Sequence, residues 1–111
     1  MGLARCDAAG QSFALAWSEV AEPAQITPAL AAMRQSLLDK LGARLGERLP
    51  LQLAGMTPNP EASTQLLLAP QRQARLALFT RGQTVYQLLM LGEKPNEAAW
   101  QGFLGSVRLQ P

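Results

Sequence analysis

The chain has 111 residues, a length that suits one domain and buries roughly two-thirds of the unfolded surface on folding. Apolar residues make up 48% and charged residues 16%, against ~25% charged in typical soluble domains, which excludes a disordered chain. Ten basic and eight acidic residues leave +2, too little to argue for nucleic acid.

The missing residue types exclude more. There is no His, so neither Ser-His-Asp nor Cys-His catalysis is available. Cys6 is the single Cys, so no disulfide forms within the chain and a structural zinc site lacks ligands. The carboxylates Asp7, Glu19, Glu22, Asp39, Glu47, Glu61, Glu93 and Glu97 show no calcium-loop spacing. No metal and no cofactor are expected. An acid–base pair assembled from distant carboxylates stays open. No dinucleotide or phosphate-loop motif occurs, since Gly42 and Gly46 fall in a helical pattern. No stretch approaches the ~18 apolar residues of a membrane span. The opening shows no signal-peptide pattern, and Met1-Gly2 reads equally as a native or a vector-derived start.

In chain order, residues 1–11 read as a loose lead-in and residues 12–111 as one domain. Phe13-Ala-Leu-Ala-Trp17 alternates large and small residues, which predicts a strand with Phe13, Leu15 and Trp17 on one face. Residues 21–26 form a loop. Thr27-Pro28 opens a helix, with Thr as N-cap and Pro at the first helical position. Leu30, Met33, Leu37, Leu38, Leu41 and Leu45 make one apolar stripe, with Arg34 among the polar positions and Gly46 as C-cap.

Leu49, Leu51 and Leu53 alternate with Pro50, Gln52 and Ala54, a short strand beginning near Pro50 or lying at a sheet edge. Gly55–Pro60 is a loop, Thr64–Ala69 a strand and Pro70–Gln73 a turn. Arg75–Thr80 and Thr84–Leu91 form a hairpin around Gly82. Its second arm is apolar on both parities, which places it mid-sheet with helices on both sides. Glu93-Lys-Pro95 ends the strand. Asn96 caps a second helix carrying Trp100, Phe103, Leu104 and Val107. Gly102 and Gly105 are expected to let that helix approach the sheet closely. Val107–Leu109 reads as a final extended stub. The class is α+β, an antiparallel sheet of four to five strands sandwiched by two helices.

This layout resembles small extracytoplasmic bacterial domains of the PsbP-like type. The residues that carry the likeness are the strand Phe13–Trp17, the Thr27-Pro28 helix start, the hairpin of Phe79–Gly92 and the ending Phe103–Leu109. It spans about residues 13–109 and rests on core and turn residues. The resemblance implies a periplasmic or secreted domain that binds or scaffolds, and it carries no catalytic residue onto this chain. In that group the loop after the strand at Leu49–Ala54 often holds a Gly-x-Pro-Gly turn; here it is Gly55-Met-Thr-Pro-Asn-Pro60.

Three surfaces stand out. The loop of Gly55, Met56, Thr57, Pro58, Asn59 and Pro60 is stiffened by two Pro, with Met56 as an exposed anchor for a protein partner. Arg72, Arg75 and Arg81 suit an anion if they converge. Trp17, Tyr86, Trp100 and Phe103 either line an apolar pocket or fill the core. A homodimer through an edge strand, beginning at Pro50 or at Phe13–Trp17, is a further expectation. The leading reading is a non-catalytic accessory or protein-interaction domain. The alternative is a carrier of a small apolar ligand held between helix and sheet. An enzyme ranks third.

Overall fold

A computed structural model describes residues 2–8, 11–51, 53, 55–70, 72–92 and 97–106. The strands are β1 (Gly2–Ala8), β2 (Gln11–Glu19), β3 (Arg44–Pro50), β4 (Ser63–Ala69), β5 (Arg72–Arg81) and β6 (Thr84–Gly92). The helices are α1 (Ile26–Leu41) and α2 (Glu97–Ser106), with a short 3-10 turn at Pro23–Gln25. The strands form one antiparallel sheet in the order β1-β2-β6-β5-β4-β3. The class is α+β as expected, but the described sheet has six strands rather than four or five.

The extra strand is β1, in the stretch read as a loose lead-in. Its residues are mostly small, and the alternation of Ala4, Cys6 and Ala8 with Arg5 and Asp7 is a weak period-two signal that the reading as a lead-in missed. Pairing with β2, from Gly2 opposite Trp17 to Ala8 opposite Gln11, makes it a strand. The Phe13–Trp17 strand therefore lies inside the sheet, between β1 and β6. The described edges are β1 and β3, and β3 ends at Pro50 instead of beginning there.

The β5–β6 hairpin occupies the middle of the sheet and is apolar on both faces. Alternate residues point to opposite sides. Ala74, Leu76, Leu78 and Val85 join Leu67 beneath Ile26, Leu30 and Leu37 of α1. Ala77, Phe79, Leu88 and Met90 join Phe13 beneath Trp100 and Leu104 of α2. Each helix thus covers its own face. Gly82 closes the hairpin at a positive φ of 58°.

Helix α1 departs from the expected bounds at both ends. Its N-cap position is Gln25, which makes no side-chain bond to the first turn of α1; its Oε1 instead caps the preceding 3-10 turn, accepting from the backbone N–H of Ala21 (3.0 Å) and of Glu22 (3.2 Å). Thr27 and Pro28 lie inside the first turn. The helix ends at Gly42, left-handed at φ 60° and ψ 35°, four residues before Gly46. Leu45 therefore leaves the apolar stripe for β3, and Gly46 becomes a strand residue. The proposed cap Asn96, the strand end at Glu93–Pro95 and the stub at Val107–Leu109 lie outside the described residues, as does the Cys6 side chain.

The buried stripe of α1 includes Arg34, which is 9% exposed rather than on the polar face. A buried guanidinium requires acceptors. Arg34 donates to Glu61 Oε2 at 2.6 Å, and to the Glu61 carbonyl and Ser63 Oγ, each at 3.3 Å. Arg48 stands 3.8 Å from the same carboxylate. The hydrogen bond from Arg34 holds the Glu61 carboxyl below the usual carboxylate range, against the opposing effect of burial; the charges of Arg34 and Arg48 assist. Its folded pKa thus lies below the unfolded one. The stabilisation is present above the unfolded value and is lost as pH falls through the folded one.

Glu61→Gln is expected to cost about 2 kcal/mol at neutral pH, the scale of a hydrogen bond to a charged group. Urea unfolding of both proteins between neutral and acidic pH checks this. The two curves should converge on acidification, because the native carboxylate is then protonated. Arg34→Met should cost less than Glu61→Gln, since it removes the buried charge instead of stranding it.

Candidate functional site

The Gly55–Pro60 loop is tied at several points. Thr57 N–H donates to the Thr80 carbonyl at 2.7 Å, and Gly82 N–H donates to Thr57 Oγ1 at 3.0 Å. Asn59 Oδ1 accepts from the Glu61 N–H at 2.8 Å, while Asn59 Nδ2 donates to Thr27 Oγ1 at 3.1 Å. These bonds set Glu61 in front of Arg34. Met56 is half-buried against the core beneath α2, and its sulfur accepts from the Leu53 N–H at 3.2 Å. It is a packing residue rather than an exposed anchor. Gly55, Thr57, Pro58 and Pro60 remain exposed. The loop acts as a brace between α1 and the β5–β6 turn.

The three Arg do not converge. Arg75 and Arg81 share the α2 face of β5 but lie six residues apart, about 20 Å along an extended strand. Arg72 has the opposite parity and is exposed at the start of β5. Of the aromatic residues Phe13, Phe79 and Trp100 are core, Tyr86 and Phe103 pack half-buried against them, and Trp17 is half-buried outside both core clusters. Phe13 and Phe103 meet edge to face at 4.9 Å, Phe79 stacks on Tyr86 at 5.0 Å, and Trp100 lies 6.1 Å from Phe103. The Trp17 indole lies across Gly2, where a Cβ would collide with it.

An open groove lies on the other flank of Trp100, with a volume of about 390 Å³. One wall is the segment carrying Leu49, Pro50, Leu51 and Leu53; the other is the flank of α2 with Trp100, Gln101, Leu104 and Gly105. Thr64 and Arg75 reach it from the α2 face of the sheet. The alternating Leu predict a strand, and the structure divides them. Pro50 has no N–H to continue a ladder, so β3 ends there and Leu51 and Leu53 pack toward the core beneath α2.

A register shift between Leu45 and Arg48 decides which way Leu49 points. Leu45 pairs with Leu67, on the α1 face, whereas Leu49 pairs with Thr64, on the α2 face. One extra residue in β3 flips every side chain that follows. Gly46 sits in that shift, and a Cβ there would come within 3.0 Å of the Leu66 carbonyl oxygen. Among the described residues Leu45 and Leu49 are the exposed large apolar ones, at 51% and 45%.

The groove carries one ion pair. Arg75 donates to Glu97 Oε2 at 2.6 Å, and Gln101 Nε2 donates to Glu97 Oε1 at 3.0 Å. The Arg75 side chain is 21% exposed and that of Glu97 is 54% exposed. Among the described residues no group of three metal-ligating side chains assembles. The groove thus combines Leu and Trp side chains with a charge-balanced Arg75–Glu97 pair. Sequence reasoning names Arg75 and Trp100, but pairs them with other partners.

Gly102 and Gly105 are exposed, and a Cβ at either position would meet nothing within 4 Å. They do not mediate close approach to the sheet. Gly102→Ala and Gly105→Ala are each expected to stabilise the fold by about 0.5–1 kcal/mol through helix propensity. Chemical denaturation checks this, and a loss of stability in either variant would contradict the placement of α2.

No protein-family model matches the chain, and no curated protein matches it. Among solved structures it is similar to the crystal structure of PA94 from Pseudomonas aeruginosa, a protein of unknown function. The TM-score is 0.70 at 15% identity, over 99% of this chain and 83% of that one. This likeness shows the fold: an antiparallel sheet with helices, shared by two chains of widely different sequence.

Proposed function

We propose that this chain is a non-catalytic protein-interaction domain whose groove beside α2 holds an extended apolar segment of a partner polypeptide. The observation that carries this reading is the groove itself, lined by Leu49, Leu51 and Leu53 on one wall and by Trp100 and Leu104 beside Glu97 and Gln101 on the other, and opening beside the last residues of an edge strand. Half-exposed Leu49 extends the apolar surface to its mouth. An edge strand offers backbone groups that an extended peptide uses and a small apolar molecule does not.

The rest of β3 is guarded. Arg44, Glu47, Arg48, Pro50 and the register shift all disfavour pairing with a second copy along its length. A partner thus gains access through the groove end. The PsbP-like resemblance stays part of this proposal. The volume of about 390 Å³ also falls in the range of small-ligand sites, so a carrier of a small apolar molecule is the second reading.

A phage-displayed library of random linear peptides, panned on the full chain, tests the proposal. Gly105→Phe serves as a groove-filled counterpart, because open space surrounds that position. Enriched peptides should be rich in Leu, Ile and Phe. Their affinity should fall roughly tenfold or more on Gly105→Phe, a loss of about 1.4 kcal/mol or more. Peptides that bind both proteins equally, or no enrichment at all, would overturn it.

A further inference from the structure

We infer that a second copy of this chain pairs with β1, edge to edge and antiparallel, about a two-fold axis at Cys6, so that two sheets join into one. The inference stands apart from the groove reading, because the groove opens at the β3 edge on the other side of the sheet.

The two edges of the described sheet are unlike. Strand β3 carries Arg44, Glu47, Arg48, Pro50 and a register shift, all of which discourage a further strand. Strand β1 contains no Pro, and its ladder to β2 runs from Gly2 to Ala8 without a shift. Among the described residues it pairs with β2 alone, and Ala4 and Arg5 are exposed. A regular edge of that kind presents a row of unpaired N–H and C=O groups.

The backbone of β2 decides which residues of β1 present them. Val20 N–H, next to the end of β2, donates to the Gln83 carbonyl at 2.9 Å. Bonding direction alternates along an antiparallel strand, so the even-numbered residues of β2 bond toward β6 and the odd-numbered ones toward β1. Leu15, Phe13 and Gln11 stand opposite Ala4, Cys6 and Ala8, whose backbone groups are therefore turned inward. Leu3, Arg5 and Asp7 direct theirs to the free edge.

Outward residues must meet outward residues, which puts the two-fold axis on a residue position rather than between two. An axis at Arg5 or at Asp7 sets like charges opposite each other. An axis at Ala4 sets Arg5 opposite Leu3. An axis at Cys6 sets Arg5 opposite Asp7 of the second copy and, by symmetry, Asp7 opposite Arg5, with Ala4 opposite Ala8. The segment Ala4-Arg-Cys-Asp-Ala8 is thus self-complementary in that register. Opposite charges facing across a strand pair stabilise it and like charges destabilise it. A two-fold interface makes each such contact twice. The charges of β1 repel a second copy in the competing registers and attract it in this one.

Sedimentation equilibrium of the full chain under reducing conditions, over a concentration series, reads the dimer. Arg5→Asp and Asp7→Arg should each weaken it roughly tenfold, and the two together should restore it. Arg5→Pro should abolish it while the thermal unfolding transition persists, because the missing N–H points away from β2. Disulfide trapping with oxidised glutathione reads the register. Opposite residues of a non-hydrogen-bonded antiparallel pair have Cα atoms about 4.5 Å apart, within disulfide reach, so Cys6 should link two wild-type copies. With Cys6→Ala in place, Ala4→Cys and Ala8→Cys should link only when the two variants are mixed. A monomer at every concentration, a dimer that neither charge reversal weakens, a double variant that fails to restore it, or Ala4→Cys linking to itself would overturn the inference.

Discussion

The two-faced apolar character of the β5–β6 hairpin is the constraint on which the rest of the structure depends. A strand pair apolar on both sides cannot face water on either. Leu76 and Leu78 require α1, and Ala77, Phe79 and Leu88 require α2. The two helices do not cover equally. At sixteen residues α1 is about 24 Å long, whereas α2 at ten residues is about 15 Å. Six strands make a sheet about 24 Å wide. The shorter helix leaves the β3 side of its face to the 49–56 segment, and the groove is the space between the two.

The opposite face shows what happens beneath the longer helix. Arg34 is drawn beneath α1 because a helix with Ile26, Leu30 and Leu37 facing the sheet must also bury the residue between them. Glu61 and Ser63 supply its acceptors. The Gly55–Glu61 loop is shaped to deliver that carboxylate, with Asn59 turning the chain into position and linking it to Thr27. Its two Pro and its Asn serve a structural brace.

Much of the fold was legible in the sequence because it depends on local pattern. The period-two run gave β2, the aliphatic run Leu66–Ala69 gave β4, the both-parity run gave the central hairpin and its two-sided cover, and the 3-4 spacing gave α1. The end of α1 was not legible. Leu45 continues the helical stripe four residues beyond Leu41, so spacing favours Gly46 as the stop. The pairing of Arg44 with Leu68 requires the chain to reverse at Gly42 instead. Tertiary pairing also fixes β1, whose alternation of small apolar with charged residues is only a weak signal. The groove was illegible for a similar reason. It depends on a register shift at Gly46 and on Arg75 meeting Glu97 across 22 residues of sequence. The ingredients were visible, but their juxtaposition was not.

The central claim is that the α2 side of the sheet, at the end of β3, is where a partner binds. Leu45 and Leu49 allow a direct test, since both are half-exposed on one strand and the register shift sends them to opposite faces. A photocrosslinking benzoylphenylalanine placed at either position, in the full chain in its own cells, reports which face is covered. A partner seated in the groove gives a discrete adduct from position 49 and none from position 45. Adducts of equal yield from both positions, from position 45 alone, or from neither would contradict it.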